Sequence, residues 1–473
     1  MGNKKIFRYF VSSLSGILFL LFYARSTSPL FPYFHGYDSA FFITMGRALL
    51  AGKKMYIDYF DIKGPVFFLW ESFGQLIVSG RWGAFILEII CIITSLIILD
   101  QIACCFDLTK NKRILGYVLF FCIYAGCLWG GNTVEEFCLP LSLGCLLFCI
   151  RYIKGKNLKQ TCFVYYGIVA AIFLFSKATV AGTLLSCACM ITIVLLKNDP
   201  AKLKKGILIF VATFGVIVLT FLIYYKYLGA LDDFLKWNFK LAFIRGSDGS
   251  YERIYGVQRR INWEISLIPC YAGMMYGFRT IKRKDYTGIL LFMINSLAII
   301  VTHVGSAYEY YLISAIPAIM YTFFVLYERF NYKRIIPILL FILFLGGFLR
   351  STVTEVKTLR AKSGIEMHSK YQEFLEGIPE EERDEICCVN PGIRFFADGG
   401  ILPANRYPIN ESYFCVLEQS VKAEIIDDCI QKKYTWLFME LDGMAIDEDY
   451  EQAIKDNYQS VGYTDDMILW HRK

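Results

Sequence analysis

The chain has 473 residues, 56% of them hydrophobic and 19% charged, with a net charge of +7 and a mean hydropathy of +0.44. Soluble domains hold about 45–50% apolar and about 25% charged residues, so a soluble globular protein is excluded. The excess sits in long runs, at 89–99, 207–225 and 335–349, approaching the ~20 residues a helix needs to cross a bilayer. The chain reads as a polytopic membrane protein.

The first apolar run, ending at Tyr23, follows Lys4 and Lys5 and has no Ala-x-Ala-like cleavage site before Arg25. It is expected to be an uncleaved first span. Basic clusters recur at Lys4-Lys5-Arg8, Lys110-Lys112-Arg113, Arg151-Lys154-Lys156-Lys159, Lys197-Lys202-Lys204-Lys205, Arg279-Lys282-Arg283-Lys284 and Arg329-Lys333-Arg334. Short loops rich in Lys and Arg stay in the cytoplasm, so the spans pair off between these clusters. The expected spans are 6–24, 83–106, 114–130, 137–153, 161–176, 178–196, 206–227, 263–279, 287–304, 309–327 and 334–350. Segment 65–80 is left over. As a helix it would reach roughly 24 Å, short of the ~30 Å hydrocarbon core, and it carries Glu71 and Gln75. It is expected to be a re-entrant or interfacial helix on the outer side. Eleven spans then put the amino terminus in the cytoplasm and the carboxyl end outside.

This parity gathers polar stretches on the outer face. The first is Tyr37-Asp38-Ser39, continuing to Tyr56-Ile57-Asp58-Tyr59-Phe60-Asp61-Ile62-Lys63-Gly64-Pro65. Asp38 is placed to cap a helix over 39–51 that Gly52 stops, and Phe41, Met45 and Leu49 give that helix one apolar stripe. An amphipathic helix on the membrane surface fits this pattern. Lys63 before Gly64-Pro65 could meet a phosphate at headgroup level or merely anchor its helix by snorkelling; Lys177 raises the same pair of readings. Glu135 and Glu136 open a span after Gly130-Gly131-Asn132-Thr133, where the helix dipole favours acids. Glu88 sits inside an apolar run, where an ionisable group is a functional candidate, with Arg81 as its expected partner.

The loop 228–262 interleaves Lys236, Lys240, Arg245, Arg253, Arg259 and Arg260 with Trp237, Phe239, Phe243, Tyr251 and Tyr255. Such interleaving can bind nucleic acid; on an outward membrane loop it points to lipid headgroups or phosphates instead, so no nucleic-acid partner is expected. Beyond Arg350 the long apolar runs end. Short apolar pieces at 386–389, 424–430, 436–439 and 467–470 alternate with polar helical ones, as in a small extracytoplasmic α/β domain over 351–473. Sixteen cysteines are scattered mainly through the spans with no Cys-x-x-Cys pair; Cys387, Cys388, Cys415 and Cys429 could pair in an oxidising setting.

Taken in order, Gly36-Tyr37-Asp38-Ser39-Ala40-Phe41, the 56–65 stretch, Gly131-Asn132-Thr133-Val134-Glu135-Glu136-Phe137 and Tyr308-Glu309-Tyr310-Tyr311-Leu312 before Pro317 resemble the GT-C class of integral-membrane glycosyltransferases. The likeness is to bacterial relatives of protein O-mannosyltransferase and of the lipid A aminoarabinose transferase. The resemblance implies an all-α polytopic bundle of about eleven spans with outer juxtamembrane helices, the catalytic part over 1–350. It implies an inverting transfer of a sugar from a polyprenyl-phosphate donor to an envelope glycan, lipid or protein acceptor, on the outer face of the cell membrane. Asp38 would be the general base. Lys63, Lys177, Arg253 and Arg259 would bind the donor phosphate, and Asp58, Asp61, Glu135, Glu136, Tyr310 and Tyr311 would receive or orient the acceptor. The chain departs from the pattern at Ser39, where many relatives keep an acid, and at Ile62, where some keep a metal-binding glutamate. A divalent metal assembled by His35, His303 and nearby acids stays open. The competing class, a transporter or flippase for a lipid-linked glycan, predicts charges and broken helices near the midplane and often repeated halves; Glu71 and Glu88 alone hint at it.

Overall fold

The computed structural model describes residues 2–31, 36–247, 256–281, 283, 285–304, 308–329, 335–361, 363–389, 392–408, 411–441 and 446–473. The helices in chain order are α1 (Gly2–Tyr23), α2 (Tyr37–Leu50), α3 (Pro65–Ile77), α4 (Arg81–Cys104), α5 (Lys110–Cys127), α6 (Val134–Ile153), α7 (Thr161–Leu174), α8 (Gly182–Asn198) and α9 (Pro200–Tyr227), followed by Gly256–Ile281, Tyr286–Thr302, Ile316–Arg329 and Ile335–Arg360. Each of the eleven expected spans falls on one of these helices, and 65–80 becomes the separate 13-residue α3. Seven helices among the described residues are long and apolar enough to cross a membrane; Thr161–Leu174 and Tyr286–Thr302 are apolar but shorter.

The chain divides into two compact units. One comprises residues 1–24, 88–229 and 246–356; the other comprises 25–87, 230–245 and 357–473. The helical bundle of the first unit is pinned at one end by a chain of polar contacts. Asp100 on α4 is buried against Arg8 at 2.6 Å and Arg113 at 3.6 Å, and the neighbouring Gln101 accepts from Arg151 at 2.7 Å. Lys154 pairs with Glu328 at 2.9 Å, Arg329 pairs with Asp285, and Lys202 reaches Asn157 at 2.8 Å. Arg8, Arg113, Arg151, Lys154, Lys202 and Arg329, members of five of the basic clusters of the sequence, therefore gather at one end of this unit. Between helices, glycines let backbones close up, as lipid-embedded helices require. A Cβ on Gly167 would lie 3.0 Å from the Phe210 carbonyl oxygen of α9, and one on Gly277 would lie 2.5 Å from the Phe292 nitrogen.

The second unit is built on a four-stranded sheet of β1 (Ile386–Val389), β2 (Trp436–Glu440), β3 (Tyr458–Thr464) and β4 (Met467–Arg472), in the order β1-β2-β4-β3. β1 and β2 run parallel, and the other two pairings are antiparallel. Three strands match expected apolar pieces. The fourth piece, 424–430, lies instead on the helix Gln419–Ile430, because Val421, Ile425 and Cys429 recur at a spacing of four and form its buried face. β3 is mostly exposed and carries no apolar run, so it left no signal.

Two further expectations are corrected here. The helix over 39–51 is not a surface helix: α2 buries nine of its residues against α3 and the helix Ile393–Gly399. Its small residues explain this, since a Cβ on Gly46 would stand 2.9 Å from the Glu71 carbonyl carbon. Nor does Asp38 cap α2; the N-cap is Gly36 at φ 88°, and Asp38 lies inside the first turn. Cys387, Cys388, Cys415 and Cys429 are buried thiols rather than disulfide partners.

Candidate active site

Within the second unit, the loop from Lys54 to Gly64 is folded tightly enough to present its charges. Met55 and Tyr59 form a β-bridge, and the Asp58 carboxylate accepts the Lys54 backbone N–H at 2.7 Å, which closes the turn. The Tyr59 hydroxyl donates to the Pro403 carbonyl at 2.6 Å, and the Phe60 N–H donates to the Arg406 carbonyl at 3.0 Å. The Phe60 ring lies 5.4 Å from Trp237 and 5.3 Å from Tyr407, centroid to centroid. With both flanks anchored, Lys63 points between two carboxylates, 3.7 Å from Asp61 and 3.9 Å from Asp38. Its ammonium also lies 4.9 Å from the centre of the Phe42 ring, a cation–π contact.

The two carboxylates are not equivalent. The Asp61 side chain is 3% exposed and accepts its neighbour Ile62 N–H at 2.7 Å, whereas the Asp38 side chain is 39% exposed. Asp61 is thus a fixed counter-charge 3.7 Å from the Lys63 ammonium. Asp38 is the carboxylate open to solvent. Both N–O separations exceed a direct hydrogen bond, which leaves the ammonium shared rather than locked to one partner.

Beside this cluster, Tyr37 joins a second network. Its hydroxyl accepts from Arg394 at 2.7 Å and lies 3.3 Å from a Glu440 oxygen, and the Arg394 guanidinium stacks 4.2 Å from its ring centre. Glu440 is buried, pairs with Arg394 (Nε at 3.0 Å) and accepts from Tyr371 at 2.7 Å. None of Arg394, Glu440 and Tyr371 was anticipated from the sequence.

In the first unit, residues Trp129, Gly130, Gly131 and Asn132 take four consecutive positive φ angles, 51°, 96°, 90° and 59°. The turn ends in a capping box: Glu136 N–H donates to Thr133 Oγ1 and Thr133 N–H donates to the Glu136 carboxylate. Glu136 also accepts from the Tyr124 hydroxyl at 2.7 Å, and Glu88 accepts the Asn132 N–H at 2.6 Å. Both acids thus serve the turn. Glu135 instead pairs with Lys177 at 2.5 Å, and the Lys177 ammonium sits 3.5 Å from the Tyr311 ring centre and 5.6 Å from that of Tyr310. Burial by itself would lower the Lys177 pKa; Glu135 and Tyr311 outweigh it and hold the amine above its usual value.

Asp38, Asp58, Asp61 and Lys63 belong to one unit, and Glu135, Glu136, Lys177, Tyr310 and Tyr311 belong to the other. Arg253 and His35 lie outside the described residues, and Arg259 falls on the helix Gly256–Ile281 with its side chain undescribed. His303 pairs with Glu264 at 2.9 Å. Among the described residues, no group of three or more His, Cys, Asp or Glu is arranged to hold a metal ion.

A polytopic helical bundle with a small α/β sheet fits a GT-C-like fold, and comparison with solved structures agrees. The structure is similar over 99% of this chain to ArnT from Cupriavidus metallidurans bound to undecaprenyl phosphate, with a TM-score of 0.60, 9% identity and 98% of that chain covered. It is similar to the apo state of the same protein at a TM-score of 0.60 and 10% identity, over 98% of each chain. The expected GT-C-like fold is therefore borne out. By sequence, the chain belongs to the family "Putative competence-induced protein Ccs4 N-terminal domain", whose model matches residues 4–326. No curated protein matches its sequence.

Proposed function

We propose that this chain is a membrane glycosyltransferase that moves a sugar from a polyprenyl-phosphate donor to an envelope glycan, lipid or protein acceptor. The observation that carries this reading is the solvent-open Asp38 carboxylate 3.9 Å from a lysine already neutralised by a buried acid. It is supported by a fold shared with a protein crystallised on undecaprenyl phosphate. A sugar hydroxyl is a poor nucleophile, and a positioned carboxylate helps by taking its proton as the new bond forms. In this reading the acceptor oxygen attacks the anomeric carbon, the bond from that carbon to the phosphate oxygen breaks, and the acceptor proton passes to Asp38. A single displacement of this kind inverts the anomeric centre. The departing lipid phosphate gains negative charge, which the Lys63 ammonium stabilises; Asp61 keeps that ammonium in position.

Lys177, held by Glu135 and framed by Tyr310 and Tyr311, is assigned to the donor phosphate as a second cation, together with Arg253 and Arg259. Glu136 supports the turn that presents Glu135, and Asp58 supports the loop that presents Lys63. The basic end of the bundle is assigned to the cytoplasm by the positive-inside bias. The catalytic region is taken as 1–350 and the extracytoplasmic domain as 351–473.

The test is mass analysis of cell-envelope glycans from cells carrying the wild-type chain, the Asp38→Asn variant or no copy. The variant is expected to insert normally and to lose transfer by about 10²–10⁴-fold, the range of general-base assistance. Full glycan modification with Asp38→Asn would remove the base role. Retained movement of lipid-linked glycan across the membrane, with no new glycosidic bond in the wild type, would favour the flippase reading instead.

A further inference from the structure

We infer that Tyr37, Arg394 and Glu440 are positioning residues for Asp38, so that the carboxyl-terminal domain forms part of the reaction centre; this rests on the reading of Asp38 as the base. α2 begins at Tyr37, and its N-cap Gly36, at φ 88°, has no side chain to contribute a cap. Asp38 occupies the first turn, so its direction depends on what else restrains it. One restraint is the Lys63 ammonium at 3.9 Å; another comes from the adjacent residue. Tyr37 is gripped through its hydroxyl by Arg394 at 2.7 Å and across its ring face by the same guanidinium at 4.2 Å.

Arg394 is itself over-determined. It makes two contacts to one oxygen of Glu440, whose other oxygen takes the Tyr371 hydroxyl at 2.7 Å. Burial by itself would lower the Arg394 pKa; Glu440 and Tyr371 outweigh it and keep the guanidinium charged. These groups come from three elements of the carboxyl-terminal domain: the helices Ser363–Glu376 and Ile393–Gly399, and the end of β2. A second tie runs parallel to the first, from Arg47 on α2 to the Ala397 carbonyl at 2.9 Å. Domain and helix therefore meet through directional polar contacts at the turn that carries the proposed base. An ion pair serving only stability would have no need of the Tyr37 hydroxyl and face.

The decisive variant is Tyr37→Phe, which removes one oxygen and leaves the ring over the guanidinium. Turnover is measured per folded protein in detergent, using the polyprenyl-phosphate sugar fraction extracted from the native membrane, with undecaprenyl phosphate binding measured alongside. Tyr37→Phe and Arg394→Lys are expected to lower kcat by roughly tenfold or more, because small misplacements of a reacting group are costly. Carrier binding and KM should be unchanged, and the pH–kcat profile displaced. Lys370→Ala, which breaks the exposed Lys370–Asp466 pair at 2.7 Å in the same domain, is expected to leave kcat unchanged. Unaltered kcat and pH profile in folded Tyr37→Phe would overturn the inference while Asp38→Asn remained inactive. Full activity of Asp38→Asn would instead bring down the underlying base assignment.

Discussion

Asp61 and Asp38 flank the same ammonium, yet one is buried at 3% exposure and the other open at 39%. Lys63→Ala would remove the charge and leave Asp61 as a buried carboxylate without its cation, which is more damaging than losing the pair together. The expected outcome is a transfer rate about 10²–10³-fold lower, in the range seen when one charge-stabilising donor is lost, with weaker binding of undecaprenyl phosphate. Equal carrier binding by the variant and the wild type would count against a phosphate contact. The Asp–Lys cluster was legible in the sequence because its members lie in one polar stretch around a single short helix and carry opposite charges. The Tyr37–Arg394 bond was not, since its partners stand 357 positions apart and no local pattern links them. Glu88 was legible as an anomaly, but its backbone acceptor role at Asn132 was not, because a main-chain donor leaves no mark in a side-chain reading.

At the scale of single elements, the turn before α6 is tightly constrained by four positive φ angles and a capping box. Gly131 holds φ 90°, and a Cβ there would fall 2.3 Å from the Glu88 carboxylate. Gly131→Ala therefore combines backbone strain with displacement of the acid that satisfies Asn132. A loss of about 2–4 kcal/mol is expected from the two together, read as a lower thermal unfolding midpoint in detergent. An unchanged midpoint would show that Glu88 can swing away at no cost. The sequence drew attention to Glu135 and Glu136 as a pair, and the structure separates them: one caps, the other binds Lys177. α2 illustrates the opposite failure. Phe41, Met45 and Leu49 suggested one apolar stripe, but the small Ala40, Gly46 and Ala48, on other sides of the helix, are buried as well, and small residues read as neutral until a neighbouring backbone is known to lie against them.

On the scale of the whole molecule, the placement of the apolar helices followed from hydropathy, which acts locally. Membership of the two units did not, because it is set by pairing between remote segments. Residues 25–87 share a unit with 357–473, and the buried face of α2 packs on the helix Ile393–Gly399. Ending the chain at residue 356 should therefore strip that face and expose the 54–64 loop to protease in membrane preparations, whereas the full chain stays protected. Equal digestion of the two would show that the loop holds its shape alone.

The discontinuity of this unit also has a bearing on biosynthesis. Ribosomes deliver the chain from its amino end, so the Asp38 turn leaves the translocon long before its guanidinium clasp at Arg394 has been made. Intermediates that stall after several insertions would carry the proposed base without its brace. A half-built copy would hold the carboxylate idle, and transfer chemistry would switch on only once the last segment had been threaded and docked.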